Sequence, residues 1–246
     1  MLSGEDASVL EAINAMRREL ADVMRRPRRW QGGLRRTMLA HAIQGSNSIE
    51  GYVVDLDDAA AALDDEEPLS ADEQTFAEIR GYRQALGYVL QMAADPHFVV
   101  DVSAIRGMHY MMLAHDLSKS PGQYRTAPIY VRHDRVGSVV YEGRRPKLVH
   151  ELIAELVADL RGYHDVDPIV RGAMAHLNLV MIHPFRDGNG RMARALQLWS
   201  CPAKRLSSHH SRVSRSGWAA IPTTTTEYWP RPDAAHGSRN STRTCG

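Results

Sequence analysis

The side chains best placed to do chemistry together lie in one uninterrupted run, His183-Pro184-Phe185-Arg186-Asp187-Gly188-Asn189-Gly190-Arg191-Met192-Ala193-Arg194. An imidazole, a carboxylate, a glycine-rich backbone and guanidinium groups in this order suit chemistry on a nucleotide polyphosphate. Gly188 and Gly190 can both take positive φ, so the amides around Asn189 could face one anion-binding concavity. A helix expected to begin near Gly190 or Arg191 adds unpaired first-turn amides and a positive dipole end. Arg191 and Arg194, three apart, are expected to project from one face of that helix. Cations there oppose the macrodipole, so they make better sense as bidentate phosphate ligands. Asp187 would be repelled by phosphate unless a hard divalent ion, Mg2+ above all, lay between them. His183 titrates near neutrality and is the natural proton acceptor. The bland alternative is a polar interhelical turn in which Asp187 pairs with an arginine. No Gly-Lys-Ser/Thr follows, which excludes a Walker loop, and no second His or Cys sits nearby at zinc-ligand spacing.

Buried helices must hold this loop. Apolar residues at helical spacing predict a helix over Ile169 to Ile182 before it and another from Met192 through Trp199 after it. Similar spacing predicts helices over Val9 to Met24, Leu34 to Ile49, Ser103 to His115 and Leu148 to Leu160. Ser70-Ala71-Asp72-Glu73 reads as a capping box opening a long helix that carries Phe76, Ile79, Leu86, Val89 and Leu90. Met108, Met111 and Met112 read as core filler. Arg25 to Arg36 reads as a basic, glycine-broken link, and Asp55 to Pro68 as a short helix or a loop. Only Gln123 to Tyr141 breaks the helical pattern, with β-prone runs at Ile129-Tyr130-Val131 and Ser138 to Tyr141 around a polar turn. His133 falls at that turn and is expected to be exposed. The expected fold is all-α, a helical bundle with one small β-hairpin.

The central run matches, position for position, the signature His-Pro-Phe-x-Asp/Glu-Gly-Asn-Gly-Arg-x-x-Arg, and so resembles the Fic family of nucleotidyl transferases. The resemblance implies transfer of AMP from ATP to a Ser, Thr or Tyr hydroxyl of a protein, with release of pyrophosphate. It implies that His183 deprotonates the hydroxyl, that Asp187 ligands Mg2+, and that Phe185 anchors the loop inward. Arg186, Gly188, Asn189 and Gly190 would line the phosphates, and Arg191 and Arg194 would hold the β/γ end. The related Doc branch, whose members phosphorylate, has Lys where this chain has Gly190. The hairpin would be a flap, with Ile129, Tyr130 and Val131 pairing along an extended target segment. The competing reading of the hairpin is that it merely closes the core.

Ser46-Asn47-Ser48-Ile49-Glu50-Gly51 fits the family's inhibitory pattern Ser/Thr-x-x-x-Glu-Gly/Asn. The resemblance implies that Glu50 pairs with Arg194 and blocks the γ-phosphate seat, since a carboxylate offers that fork the same geometry. The competing reading is an ordinary helix end with Gly51 as its cap.

The 246 residues allow one sizeable domain with small extensions, and a net charge of +1 gives no bulk case for nucleic acid. No apolar run approaches membrane-spanning length, and the two cysteines, Cys201 and Cys245, are too few for a disulfide framework. The expectation is a cytoplasmic protein whose partners are ATP and a protein substrate, with homo-oligomerisation in play. Residues 1–52 read as N-terminal helices, 53–199 as the catalytic core, and 200–246 as an atypical, disordered tail. That tail has few large aliphatics and loses all helical period. Shifting the frame across residues 217–232 can encode a string resembling the segment that follows this motif in Fic proteins. A frameshift near residue 199 is therefore expected. The alternatives to AMP transfer are movement of another nucleotide or a phosphate, or an inactive ATP-binding remnant.

Overall fold

In chain order the elements are α1 (Gly4–Arg25), α2 (Arg29–Ile49), α3 (Leu56–Leu63), α4 (Glu73–Ala94), α5 (Val102–Leu113), β1 (Tyr130–Arg132), β2 (Val139–Glu142), α6 (Val149–Gly162), α7 (Pro168–Ile182) and α8 (Asn189–Ser200). This is a computed structural model, and it describes residues 3–25, 28–132, 139–162 and 166–200. The turn holding His133, and residues 201–246 with the frameshift reading, lie outside the described residues. The fold is the expected all-α bundle with one small hairpin.

The core forms where α4 packs on α5 and α8, and where α7 packs on α6 and α8. Ile79, Leu86, Val89, Ile105, Met108, Met112, Leu179, Phe185, Met192 and Leu196 are fully enclosed there. α4 and α5 meet closely because Gly81 has no side chain: a Cβ there would lie 2.1 Å from the Met112 carbonyl oxygen. Met108 and Met112 are core, as their spacing suggests.

Three features depart from the sequence reading. The long helix starts on Asp72, whose carboxylate accepts from the Thr75 amide at 2.7 Å. Ser70 turns away and donates to Asp58 at 2.7 Å, so the capping box is not built. The basic stretch from Arg29 to Arg36 is helical and belongs to α2, because neighbouring turns tolerate Gly32 and Gly33 at modest cost. α1 forms, yet Val9, Met16, Leu20 and Val23 on it remain 44–58% exposed. Its apolar stripe is not part of the core.

β1 and β2 pair antiparallel, Tyr130 opposite Glu142 and Val131 opposite Tyr141, with an irregularity between Val131 and Arg132. The Tyr141 hydroxyl donates to the Met181 carbonyl, which ties the hairpin to the last turn of α7.

Candidate active site

α7 must stop at His183, because Pro184 cannot extend the ladder and disfavours a helical residue before it. His183 closes the helix at φ 51°, ψ 61°, a left-handed conformation that is uncommon for a residue with a Cβ. Arg125 holds it there. Its Nε donates to the His183 carbonyl at 2.6 Å, and its amide donates to the Pro184 carbonyl at 2.9 Å. The same buried guanidinium donates to the carbonyls of Ala127 (3.0 Å) and Arg144, so one side chain joins the start of the loop to the foot of the hairpin.

The His183 ring is half-buried, with Nδ1 3.2 Å from the Val180 carbonyl. That contact requires the proton on Nδ1 and leaves the lone pair on Nε2. Burial lowers the pKa of the ring, helped by Arg125 and opposed by the Val180 carbonyl and Glu50. The result is a neutral base at neutral pH.

Phe185 turns inward, fully enclosed, and stacks on His109 with ring centroids 3.7 Å apart. Asn189 closes the loop by using both ends of its amide on Phe185: Oδ1 accepts from the Phe185 amide and Nδ2 donates to its carbonyl, each at 2.9 Å. The donors left for an anion are therefore backbone amides rather than the Asn189 side chain. α8 begins at Asn189, with Gly188 as its cap, since the Met192 amide donates to the Gly188 carbonyl at 2.9 Å. The amides of Asn189, Gly190 and Arg191 are those an α-helix leaves without intrahelical partners. Gly188 takes φ +73°, but Gly190 lies inside the helix with no positive φ. Gly190 serves a different end. A Cβ there would fall 2.5 Å from Glu50 Oε1, so the residue leaves room for that carboxylate.

Arg191 and Arg194 do not share one environment. Arg191 is 1% exposed and donates to Glu78 Oε2 at 2.5 Å and to Asn47 Oδ1 at 3.4 Å. Arg194 lies nearer the surface. Its Nε donates to the Ser46 hydroxyl at 2.7 Å, and Nη2 donates to the Ser46 carbonyl (3.0 Å) and to Glu50 Oε1 (2.6 Å). Both motif residues of α2 thus meet the same guanidinium. Gly51 ends α2 at φ +92°: its amide donates to Ser48 and that of Tyr52 to Asn47, the paired closure of a Schellman turn. The cap reading and the pairing reading of this motif hold together. The glycine stops the helix where Glu50 meets Arg194.

Asp187 is 37% exposed. Its Oδ1 accepts from the Gly188 amide at 2.7 Å, and its Oδ2 lies 3.0 Å from Lys119 Nζ and 4.0 Å from Arg191 Nη2. Arg186 reaches out to the Ser118 carbonyl at 3.3 Å. Behind Asp187 sits Glu78, 1% exposed, which accepts from Tyr52 (2.8 Å), Lys119 (2.5 Å) and Arg191, with His115 Nε2 at 3.2 Å. Burial opposes its charge, yet Lys119, Arg191 and Tyr52 outweigh that and hold its carboxyl down to about 2.

Glu78, Lys119, Arg125 and His109 are absent from the sequence-derived site. Two of them left a trace. Glu78 shares a stripe with Tyr82, Ala85 and Val89, and His109 one with Ile105 and Met112, so each is a polar residue on an apolar face. Lys119 ends a single 3-10 turn, Leu117–Lys119, and Arg125 lies in irregular chain, neither with such a signal. Ile129 precedes β1, whose first residue Tyr130 is exposed, and Tyr141 on β2 ties the hairpin to the end of α7.

Residues 99–201 match the Fic/DOC family. The chain carries a Fic domain. It is 26% identical over 211 residues to protein adenylyltransferase fic-1 of Caenorhabditis briggsae, covering 80% of this chain and 38% of that one. Against the Caenorhabditis elegans protein of the same name it is 32% identical over 122 residues, 48% of this chain and 23% of that one. The chain spans less than half the length of these curated relatives. A Fic family protein from Desulfovibrio desulfuricans superposes with TM-score 0.67 at 21% identity, covering 84% of this chain and 61% of that one. A Fic-domain signalling protein from Bacteroides thetaiotaomicron gives 0.66 at 22%, covering 76% and 71%.

The Fic-family match ends at residue 201, where the composition changes. A cavity of about 560 Å³ opens at that far end of α8, lined by Met92, Phe98, Val100, Leu160 and Trp199. It contains none of the loop residues. No helix among the described residues is long and apolar enough to cross a membrane.

Proposed function

We propose that this Fic domain transfers AMP from ATP to a Ser, Thr or Tyr hydroxyl of a protein, itself included. The observation that supports the reading is the tautomer that the Val180 carbonyl selects at His183, which leaves the Nε2 lone pair to accept a proton in the same loop that ends at the first-turn amides of α8. In the step, the hydroxyl oxygen bonds to the α-phosphorus, the α–β phosphoanhydride breaks, pyrophosphate leaves, and the hydroxyl proton passes to Nε2. Positioning and charge stabilisation do most of the work. The first-turn amides of α8 would hold phosphate oxygens. The hairpin edge at Ile129, Tyr130 and Val131 would pair with an extended target segment, giving affinity with little sequence demand.

Mg2+ fits this residue set in one way. Among the described residues no cluster of three or more ligating side chains exists, so a metal here would be held by Asp187 together with phosphate oxygens. Bound so, it would neutralise charge on the polyphosphate.

Glu50 restrains the reaction in this reading, because it occupies the Arg194 fork that a γ-phosphate needs. Mass spectrometry of the Glu50→Gly protein after incubation with ATP tests both parts. The expected result is a gain of one AMP, larger than in wild type and absent in His183→Ala. No gain with ATP, GTP, UTP or CTP would overturn the assignment.

A further inference from the structure

Asp187 already has a cation. Lys119 Nζ stands 3.0 Å from its Oδ2, and the same ammonium lies 2.5 Å from Glu78 Oε1 and 3.3 Å from the Tyr52 hydroxyl. Those three contacts match the three N–H donors of an ammonium, so its hydrogen-bonding capacity is filled. Glu78 is 1% exposed and fixed from its other oxygen by Arg191, which makes it a rigid anchor. Lys119 itself is only 19% exposed. An exposed lysine would swing clear of an arriving metal ion at no cost. This one is pinned from behind and cannot leave without stripping a buried carboxylate of a partner.

We propose that Lys119 is a positioning residue that competes with the divalent cation for Asp187, so that the site admits metal only together with an anionic polyphosphate. The inference rests on the reading of Asp187 as the metal-facing carboxylate. A bare dication gains one carboxylate already compensated by Lys119, and it is repelled by both Lys119 and Arg191. A metal–nucleotide complex brings phosphate oxygens that can take over the ammonium while Asp187 turns to the metal. Charge at the loop stays balanced in both states. The device would keep Asp187 oriented before substrate arrives, through its Gly188 and Lys119 contacts, and would exclude stray cations from the loop.

The test is Mn2+ binding, read by the electron paramagnetic resonance signal of the free ion. Wild type is expected to take up Mn2+ well only with a non-hydrolysable ATP analogue present. Lys119→Met is expected to bind bare Mn2+ about tenfold more tightly than wild type, the scale of one partly buried ion pair. Lys119→Arg is expected to resemble wild type, and adding Asp187→Asn to Lys119→Met is expected to remove the gain. Lys119→Gln, neutral yet able to donate to Glu78, takes the place of the Met variant if that chain does not fold. Equal bare Mn2+ binding in the neutral variant and wild type, including none in both, overturns the proposal, as does a gain that survives Asp187→Asn. Failure of wild type to bind the ATP analogue with or without Mn2+ would instead sink the nucleotide reading, while the bare-metal comparison still stands.

Discussion

Protonating His109 should unseat the loop, and the structure sets the size of the effect. The ring is fully enclosed and stacked on Phe185, and it is satisfied only when neutral. Nδ1 accepts from the Gly122 amide at 2.8 Å, so Nε2 must carry the proton that reaches the Asp187 carbonyl at 3.1 Å. A second proton would set an N–H against the N–H of Gly122. Burial, against the pull of the Asp187 carbonyl, lowers the pKa from 6.5 to about 4. The unfolded ring binds its proton near pH 6.5, whereas the folded ring resists until about 4. The native state therefore binds fewer protons in that window, and stability falls as pH drops through it. At about 1.4 kcal/mol per pH unit the loss approaches roughly 3 kcal/mol by pH 4, and it is absent above pH 7. Urea unfolding of wild type and His109→Phe across pH 4 to 7 isolates this term, because carboxylates and His183 titrate in both proteins. Phe keeps the stack on Phe185 but loses both hydrogen bonds, a cost that does not vary with pH. The advantage of wild type over the variant should shrink by about 3 kcal/mol between pH 7 and pH 4. His109→Gln substitutes if the Phe protein does not fold. A difference that stays flat with pH would refute the reasoning.

Other outcomes follow from the same geometry. Gly81→Ala pushes a methyl into the Met112 carbonyl and should cost about 1–3 kcal/mol or more in denaturant unfolding; a loss below about 0.5 kcal/mol would contradict the close α4–α5 approach. Gly190→Ala crowds Glu50 Oε1 and should weaken the Glu50–Arg194 pair. Its stability effect should then be non-additive with that of Glu50→Ala by about 0.5 kcal/mol or more, and simple additivity would show that the two side chains are not coupled. The rate of AMP transfer by Glu50→Gly should rise with pH as His183 loses its proton. Its midpoint should lie below 6.5, because burial lowers that pKa; a midpoint above 6.5 would contradict the half-buried, neutral ring.

Short-range chemistry was open to reading in the chain alone. The motif from His183 to Arg194, the helices on either side of it and the hairpin all follow from periodicity, proline and glycine placement, and residue type, which act over a few positions. Phe185 as an inward anchor was legible only through the resemblance of the run to the Fic signature. Partnerships across the fold were not. Whether Arg191 faces phosphate or a buried carboxylate depends on Glu78, 113 positions away along the chain. Lys119 reaches Asp187, and Arg125 grips His183, only because short segments with no periodic signal fold back against the loop. Gly190 matters for the carboxylate lodged against it rather than for its backbone freedom. Sequence spacing fixes which side chains share a face. Which charge each one meets is decided by the packing of distant helices, because ion pairs form through space and carry no mark of their partner along the chain.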